Sequence, residues 1–266
     1  MNQIGIFGAN GRMGRALLEV VSKDQNSELT AFCRAGSDHI GTDLTATVSG
    51  AKGNIILQDE NTADDNLDVL IDFTLPQGLK KHLADAIKNK TAMVIGTTGL
   101  TPDEMIELEQ ASKEIPIVFS RNYSVGINVL LNLVKTAATT LGEDVDIEIF
   151  EAHHRHKIDA PSGTALAIGE SIADAKGWDH NEVAKYDRSH DEVEKNQNEI
   201  GYSVVRAGDI VGEHTAYFAT MGERLELTHK ASSRITFAQG AVRAAAWLKN
   251  QPIGLYTMQD VLGLTQ

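Results

Sequence analysis

The glycine spacing at residues 8–14 constrains this chain more than any other feature. Gly8-Ala9-Asn10-Gly11-Arg12-Met13-Gly14 follows the short apolar run Ile4-Gly5-Ile6-Phe7 and leads into helical spacing at 15–22. A strand, a tight glycine turn and a helix in that order predict the first unit of a βαβ fold, with backbone N–H groups at the helix start open to a pyrophosphate. The spacing is G-x-x-G-x-x-G rather than the commoner G-x-G-x-x-G, so its context carries the reading. Further apolar runs at 29–33, 69–73, 93–96 and 117–119 alternate with helical spacing at 79–88 and 102–113. That alternation predicts an α/β fold, a Rossmann-like parallel sheet with crossover helices.

After Tyr123 the pattern changes. Residues 125–141 read as one long helix, 146–152 as a half-exposed strand and 163–175 as a helix. A polar, charge-rich stretch at 176–199 reads as an exposed excursion. Three strands are expected at 202–207, 213–221 and 223–231, then a helix at 237–249 that returns to the first domain. This predicts a second, α+β domain. The expected division is 1–124, completed by 235–266, and 125–234.

The parallel sheet places candidate ligand contacts at its strand ends. An acid usually follows the second strand to hold the adenosine ribose; here the chain reads Cys33-Arg34-Ala35-Gly36-Ser37. Arg34 suits a 2′-phosphate, which favours NADPH over NADH, and Arg12 is a second candidate for the phosphates. Gly96-Thr97-Thr98-Gly99, Phe73-Thr74, Ser120 and Asn122-Tyr123 end the neighbouring strands and form the expected nicotinamide wall. Each of these is also compatible with an ordinary turn.

The segment 151–166 reads EAHHRHKIDAPSGTAL. Three histidines, an arginine and a lysine fall at 153–157 in a chain of formal net charge −13. Histidine ordinarily titrates near neutrality and can donate a proton, and lysine is a compact counter-charge for a carboxylate. Gly163 and Thr164 open a helix whose first N–H groups suit a second carboxylate, with Ser162 as N-cap. A compact dicarboxylate is the ligand expected. Spacing alone does not say which histidine is the acid, though His156 reads as solvated. No H-E-x-x-H spacing and no cysteine accompany them, so no metal site is expected.

Composition narrows the class. The single cysteine, Cys33, excludes an internal disulfide, and no apolar stretch approaches the ~20 residues of a membrane helix, so cytoplasm is expected and a membrane partner is not. The acidic balance argues against nucleic acid.

On GANGRMG at 8–14, IDFT at 71–74, GTTG at 96–99, NYSVGIN at 122–128, EAHHRHKIDAPSGTA at 151–165 and HKASSRITFAQGAVRAA at 229–245, the chain resembles the 4-hydroxy-tetrahydrodipicolinate reductase (dihydrodipicolinate reductase) family over essentially its whole length. The resemblance implies a dinucleotide-binding domain and an α+β domain that binds substrate and joins subunits into a homotetramer. It implies NAD(P)H-dependent reduction of a small cyclic dicarboxylate in diaminopimelate and lysine biosynthesis, with overall loss of water. It implies His153 as proton donor, Lys157 as second catalytic residue, and His154, Lys157, Gly163 and Thr164 as carboxylate contacts. It carries Gly8, Asn10, Gly11, Arg12, Met13 and Gly14 over to the cofactor. Two positions depart from the pattern: Cys33 stands where members that use NADH readily often have an acid, and Leu75 where some have an arginine.

Overall fold

The computed structural model describes residues 2–51, 53–64 and 66–264. Its elements run β1 Asn2–Phe7, α1 Arg12–Lys23, β2 Ser27–Cys33, β3 Leu57–Asp59, β4 Val69–Asp72, α2 Pro76–Asn89, β5 Ala92–Ile95, α3 Pro102–Ala111 and β6 Pro116–Phe119. There follow α4 Val125–Thr140, β7 Asp146–His153, α5 Gly163–Lys176, α6 His180–Val183, β8 Ala184–Lys185, β9 Ile200–Arg206, β10 Gly212–Thr220 and β11 Glu223–Ala231. The chain closes with α7 Ile235–Leu248, β12 Gly254–Tyr256 and α8 Met258–Leu262. It divides into two compact units, Met1–Val125 with Arg234–Gln266, and Gly126–Ser233.

In the first unit seven strands form a parallel sheet in the order β12-β6-β5-β4-β1-β2-β3. The chain builds outward from β1 in both directions, so β1 and β4 flank the point where strand order reverses. Alternating residues of β1 feed two cores. Ile4 and Ile6 join Leu17, Leu18 and Val21 of α1 and Ala241, Ala244 and Ala245 of α7. Phe7 joins Leu79 and Leu83 of α2 and Leu108 of α3 on the other face. Strands buried on both faces read as unbroken apolar runs, which is why β4 and β5 were visible in the sequence. Three elements were not. β3 and β12 have three residues each, too few to show a period. α8 is one short helix, though its Thr257–Asp260 capping box is a readable start signal. The first helix begins at Arg12 rather than Arg15, so the end of the glycine loop is already helical.

In the second unit the sheet order is β11-β10-β7-β9-β8. It is mixed: β10 runs antiparallel to β7 and β11, while β7, β9 and β8 are parallel. One row of β7 side chains is buried along its whole length, as Ile147, Ile149, Glu151 and His153. Ile147 and Ile149 pack with Leu130 and Val134 of α4 and Ile168 and Ile172 of α5. The row then turns polar at its last two places, and there the candidate site begins.

The 176–199 stretch is not a free excursion. Arg188 pairs with Glu148 at 2.8 Å, and Lys195 lies 3.2 Å from Glu148 and donates to the Ile147 carbonyl at 3.1 Å. His180 and the Tyr202 hydroxyl are 2.6 Å apart. Most of its charges are exposed, as expected, while Arg188 and Lys195 tie it to β7.

Candidate active site

The loops that follow β1, β2, β4, β5 and β6 lie at one edge of the parallel sheet. Gly8 adopts φ +63°, and a Cβ on Gly14 would overlap the Gly8 carbonyl oxygen, so only glycine lets α1 approach the loop this closely. Gly11 is the N-cap and offers no side-chain acceptor, which leaves the first turn of α1 without a side-chain cap. Arg12 is exposed on that turn. Arg234 is its neighbour: burial, then the Arg12 charge, hold the Arg234 pKa below the ordinary arginine value. Two guanidiniums beside an uncapped helix start are an arrangement that suits an anion.

Arg34 is exposed at the end of β2, while Cys33 is buried in the core. An acid is present at this edge after all, from the neighbouring strand. Asp59 of β3 is level with Cys33 and accepts from the Gly36 N–H at 3.3 Å. Sequence order hid it, because the pairing of β3 with β2 was not legible. Phe73, Thr74, Gly96, Ser120 and Asn122 are partly exposed, and Thr98 and Gly99 are exposed. Thr97 is buried with a hydroxyl that makes no hydrogen bond among the described residues. Tyr123 is a core residue: its hydroxyl donates to the Ile95 and Val118 carbonyls at 2.9 and 3.0 Å.

In the second unit the polar end of β7 is tightly organised. Glu151, at 0% exposure, sits 2.6 Å through Oε2 from His153 Nδ1. Both its oxygens also accept from Arg206 at 2.8 Å, and Oε1 accepts the Ser162 N–H at 2.9 Å. Arg206 reaches this place because β9 pairs parallel with β7, with Arg206 opposite His153. The Nε2 edge of His153 faces Gly212, where a Cβ would stand 3.1 Å away. His214 of β10 meets the His153 ring edge-on, with centroids 5.0 Å apart, and lies 3.1 Å through Nε2 from Ser162 Oγ. Ser162 Oγ also accepts the Ala165 N–H at 3.2 Å, so Ser162 is the N-cap of α5.

Lys157 pairs with Asp159 at 2.9 Å. The lysine is largely covered while Asp159 is 59% exposed in its side chain. His154 and Thr164 are partly exposed, Gly163 and His156 exposed.

The electrostatics separate the two neighbouring histidines. Burial, then the nearby His153, push the His214 pKa down to about 3, so His214 is neutral at working pH. Glu151 goes the other way from what burial dictates. Burial favours its neutral form, but hydrogen bonds from His153, Arg206 and the Ser162 amide outweigh it and bring its pKa to about 2. A permanent carboxylate therefore faces Nδ1 of His153.

Sequence models of the dihydrodipicolinate reductase N-terminus and C-terminus match residues 2–123 and 126–262. The chain belongs to the dihydrodipicolinate reductase family. The 4-hydroxy-tetrahydrodipicolinate reductase of Pseudoalteromonas translucida is 67% identical over 99% of this chain and 98% of its own length. That of Pseudoalteromonas atlantica is 55% identical over 99% of this chain and all of its own. A dipicolinate-bound dihydrodipicolinate reductase from Paenisporosarcina sp. TG-14 shares the fold, with TM-score 0.73 at 22% identity over 98% of each chain. The Rossmann-like α/β class is that of the family.

Glu151, Arg206, His214 and Arg234 had no role assigned from sequence. Glu151 was within reach of such reasoning: two residues before His153 on a strand, it must share that residue's face. Arg206 and His214 lie 55 and 63 positions after Glu151, and only the sheet register brings them in.

Proposed function

We propose that His153 delivers a proton, and Lys157, His154 and the start of α5 hold two carboxylates, in the reduction of 4-hydroxy-tetrahydrodipicolinate. The reaction class follows from the family: the chain is an NAD(P)H-dependent oxidoreductase of diaminopimelate and lysine biosynthesis. A hydride and a proton enter, water leaves, and tetrahydrodipicolinate is the product. The observation that carries the residue roles is the buried Glu151–His153 pair.

With Nδ1 engaged by a carboxylate at 2.6 Å, the ring is fixed in orientation and Nε2 is the nitrogen left for proton transfer. Arg206 holds Glu151 from its other side, so the carboxylate cannot swing away. Lys157 pairs with Asp159 at 2.9 Å. Asp159 is exposed and gives way to a substrate carboxylate at little cost. Gly163 and Thr164, at the positive end of α5, take the second carboxylate.

The residues of the first unit fit a dinucleotide. Gly8, Asn10, Gly11, Arg12, Met13 and Gly14 would hold the pyrophosphate, Arg34 a 2′-phosphate, and Phe73, Thr74, Gly96, Thr97, Thr98, Gly99, Ser120 and Asn122 the nicotinamide side, with Tyr123, expected there from sequence, standing in the core behind them. When bound, the nucleotide supplies the hydride. NADPH is the preferred form on this reading, supported by exposed Arg34 and buried Cys33. Asp59 supports NADH use as well. The first unit is thus the dinucleotide-binding domain and the second the substrate domain. Outward strand positions of the second sheet, among them Ser203, Val205, Arg224 and Thr228, are exposed and support subunit contact in a cytoplasmic homotetramer.

The test is nucleotide oxidation, followed by nicotinamide absorbance, with substrate generated in place from pyruvate and aspartate semialdehyde by the preceding synthase. NADPH and NADH are run in parallel. Oxidation that requires the synthase is expected, faster with NADPH. No oxidation with either, in a protein shown to bind nucleotide, overturns the substrate assignment.

A further inference from the structure

Beneath the glycine loop lies a set of titratable side chains that the proposed chemistry does not use. His82 of α2 is 2% exposed. Its Nδ1 is 2.6 Å from Asp72 Oδ2, and its Nε2 is 3.4 Å from Glu60 Oε2. Asp72, fully buried at the end of β4, uses Oδ1 to accept the Thr74 N–H at 2.8 Å and the Thr74 hydroxyl at 2.7 Å. The methyl of Thr74 abuts the dinucleotide loop, since a Cβ on Gly8 would stand 2.9 Å from it. Phe7, the last residue of β1, stacks on the His82 ring at 4.0 Å with planes 9° apart. A continuous line of contacts therefore runs from Glu60, just past β3, through His82, Asp72 and Thr74 to Gly8.

Two carboxylates on one buried imidazole favour its charged form. Burial alone would lower the His82 pKa, but its hydrogen bonds and charge interactions with Asp72, then Glu60, raise it. The other charges at this cluster are Lys81, 3.8 Å from Glu60 and 2.7 Å from Asp85, and Asp85 itself. Phe7 closes the remaining face without charge.

We propose that Glu60, His82 and Asp72 form a positioning relay for nucleotide binding, which fixes the Phe73–Thr74 turn against Gly8 and so sets the shape of the dinucleotide loop. It rests on the reading of that loop as the nucleotide site. A cluster that merely stabilised the core would lower the unfolding temperature and leave the affinity of the folded protein unchanged.

The test is titration of purified protein with NADPH and with NADH by nucleotide fluorescence, beside steady-state kinetics. His82→Asn keeps a donor near Nδ1 and loses both the charge and the reach to Glu60. It should weaken both nucleotides about tenfold, within the range for residues sharing one hydrogen-bond network. At saturating nucleotide, the KM for the dicarboxylate should stay within about twofold. Glu60→Gln, a milder change at the far end of the line, should weaken both roughly two- to threefold. Wild-type affinity should also fall as pH rises through the raised His82 value, and in Glu60→Gln that fall should come at lower pH. If His82→Asn does not fold, Glu60→Gln and its pH profile decide. Folded variants with unchanged nucleotide affinity overturn the relay and leave the dinucleotide site standing. Failure of the wild type to bind either nucleotide overturns both.

Discussion

Two histidines in this protein are built on the same plan and serve opposite ends. His82 and His153 each place Nδ1 2.6 Å from a fully buried carboxylate, Asp72 and Glu151. They differ at the other nitrogen. Nε2 of His82 meets a second carboxylate, Glu60, beneath a stacked Phe7 ring. Nε2 of His153 meets Gly212, a residue with no side chain to occupy it. The carboxylates differ in turn. Asp72 relies on His82 for its only cation partner among the described residues, whereas Glu151 also has Arg206 in a two-point contact. A carboxylate–imidazole pair is therefore not in itself a catalytic signature. What surrounds the second nitrogen, and whether the acid has another partner, decide whether the pair can only position a loop or is free to exchange a proton.

The sharpest way to break this comparison is to remove each ring. His153→Ala should lower kcat by about 10²–10⁴-fold, the usual worth of a positioned acid, with nucleotide affinity unchanged by fluorescence titration. A residual rate near wild type would return the acid's role to His154 or His156. His82→Leu should instead appear in urea denaturation, as a loss of roughly 3–5 kcal/mol, because buried Asp72 is left without its cation and Glu60 keeps only Lys81, 3.8 Å away. His153→Leu should cost clearly less, since Arg206 remains on Glu151. Equal costs would mean that Arg206 does not carry Glu151.

Acid stability gives a third contrast. The folded pKa of Glu151 is depressed from 4.5 to about 2. Its contribution is therefore present above pH ~4.5 and is lost as pH falls from there through about 2, an effect on the order of 3 kcal/mol. Glu151→Gln should flatten unfolding free energy across that acid window; an unchanged slope would place the acid sensitivity elsewhere. His82, with its raised pKa, loses its contribution in the other direction, as pH climbs.

Smaller effects belong to exposed charges. Arg34→Ala should weaken NADPH by about tenfold, near 1.4 kcal/mol, and leave NADH unaffected. Equal weakening of both would remove Arg34 from the 2′-phosphate. Asp159→Asn should change stability by less than ~1 kcal/mol, as exposed pairs do, and should lower the KM for the dicarboxylate by freeing Lys157.

Strand runs with a clean apolar period were legible at once, as β1, β4, β5 and β7 show. So was Ser162 as a helix cap, because capping is a local rule. The basic segment at 153–157 pointed to an anionic ligand but not to the Glu151–Arg206 geometry behind His153. Glu151 lacked only an argument from strand alternation. Arg206, His214 and Asp59 depend on which strands become neighbours, and a single sequence does not state that. The excursion at 176–199 is largely exposed as read, but its anchors were hidden for a related reason: Arg188 and Lys195 find partners 40 and 48 residues away.

The segment between His153 and Ser162 is held at both ends by one ion pair. Glu151 takes the Ser162 amide, Arg206 donates to the Asp159 carbonyl at 2.6 Å, and the Ala207 amide donates to the His153 carbonyl at 2.9 Å. Its middle is open to solvent, with Ile158 97% exposed and Arg155 and His156 also exposed. The number of residues in this segment is thus under far tighter constraint than their identity. Side chains at 155, 156 and 158 are open to redesign, whereas inserting or deleting a single residue would pull either His153 or the helix start out of register.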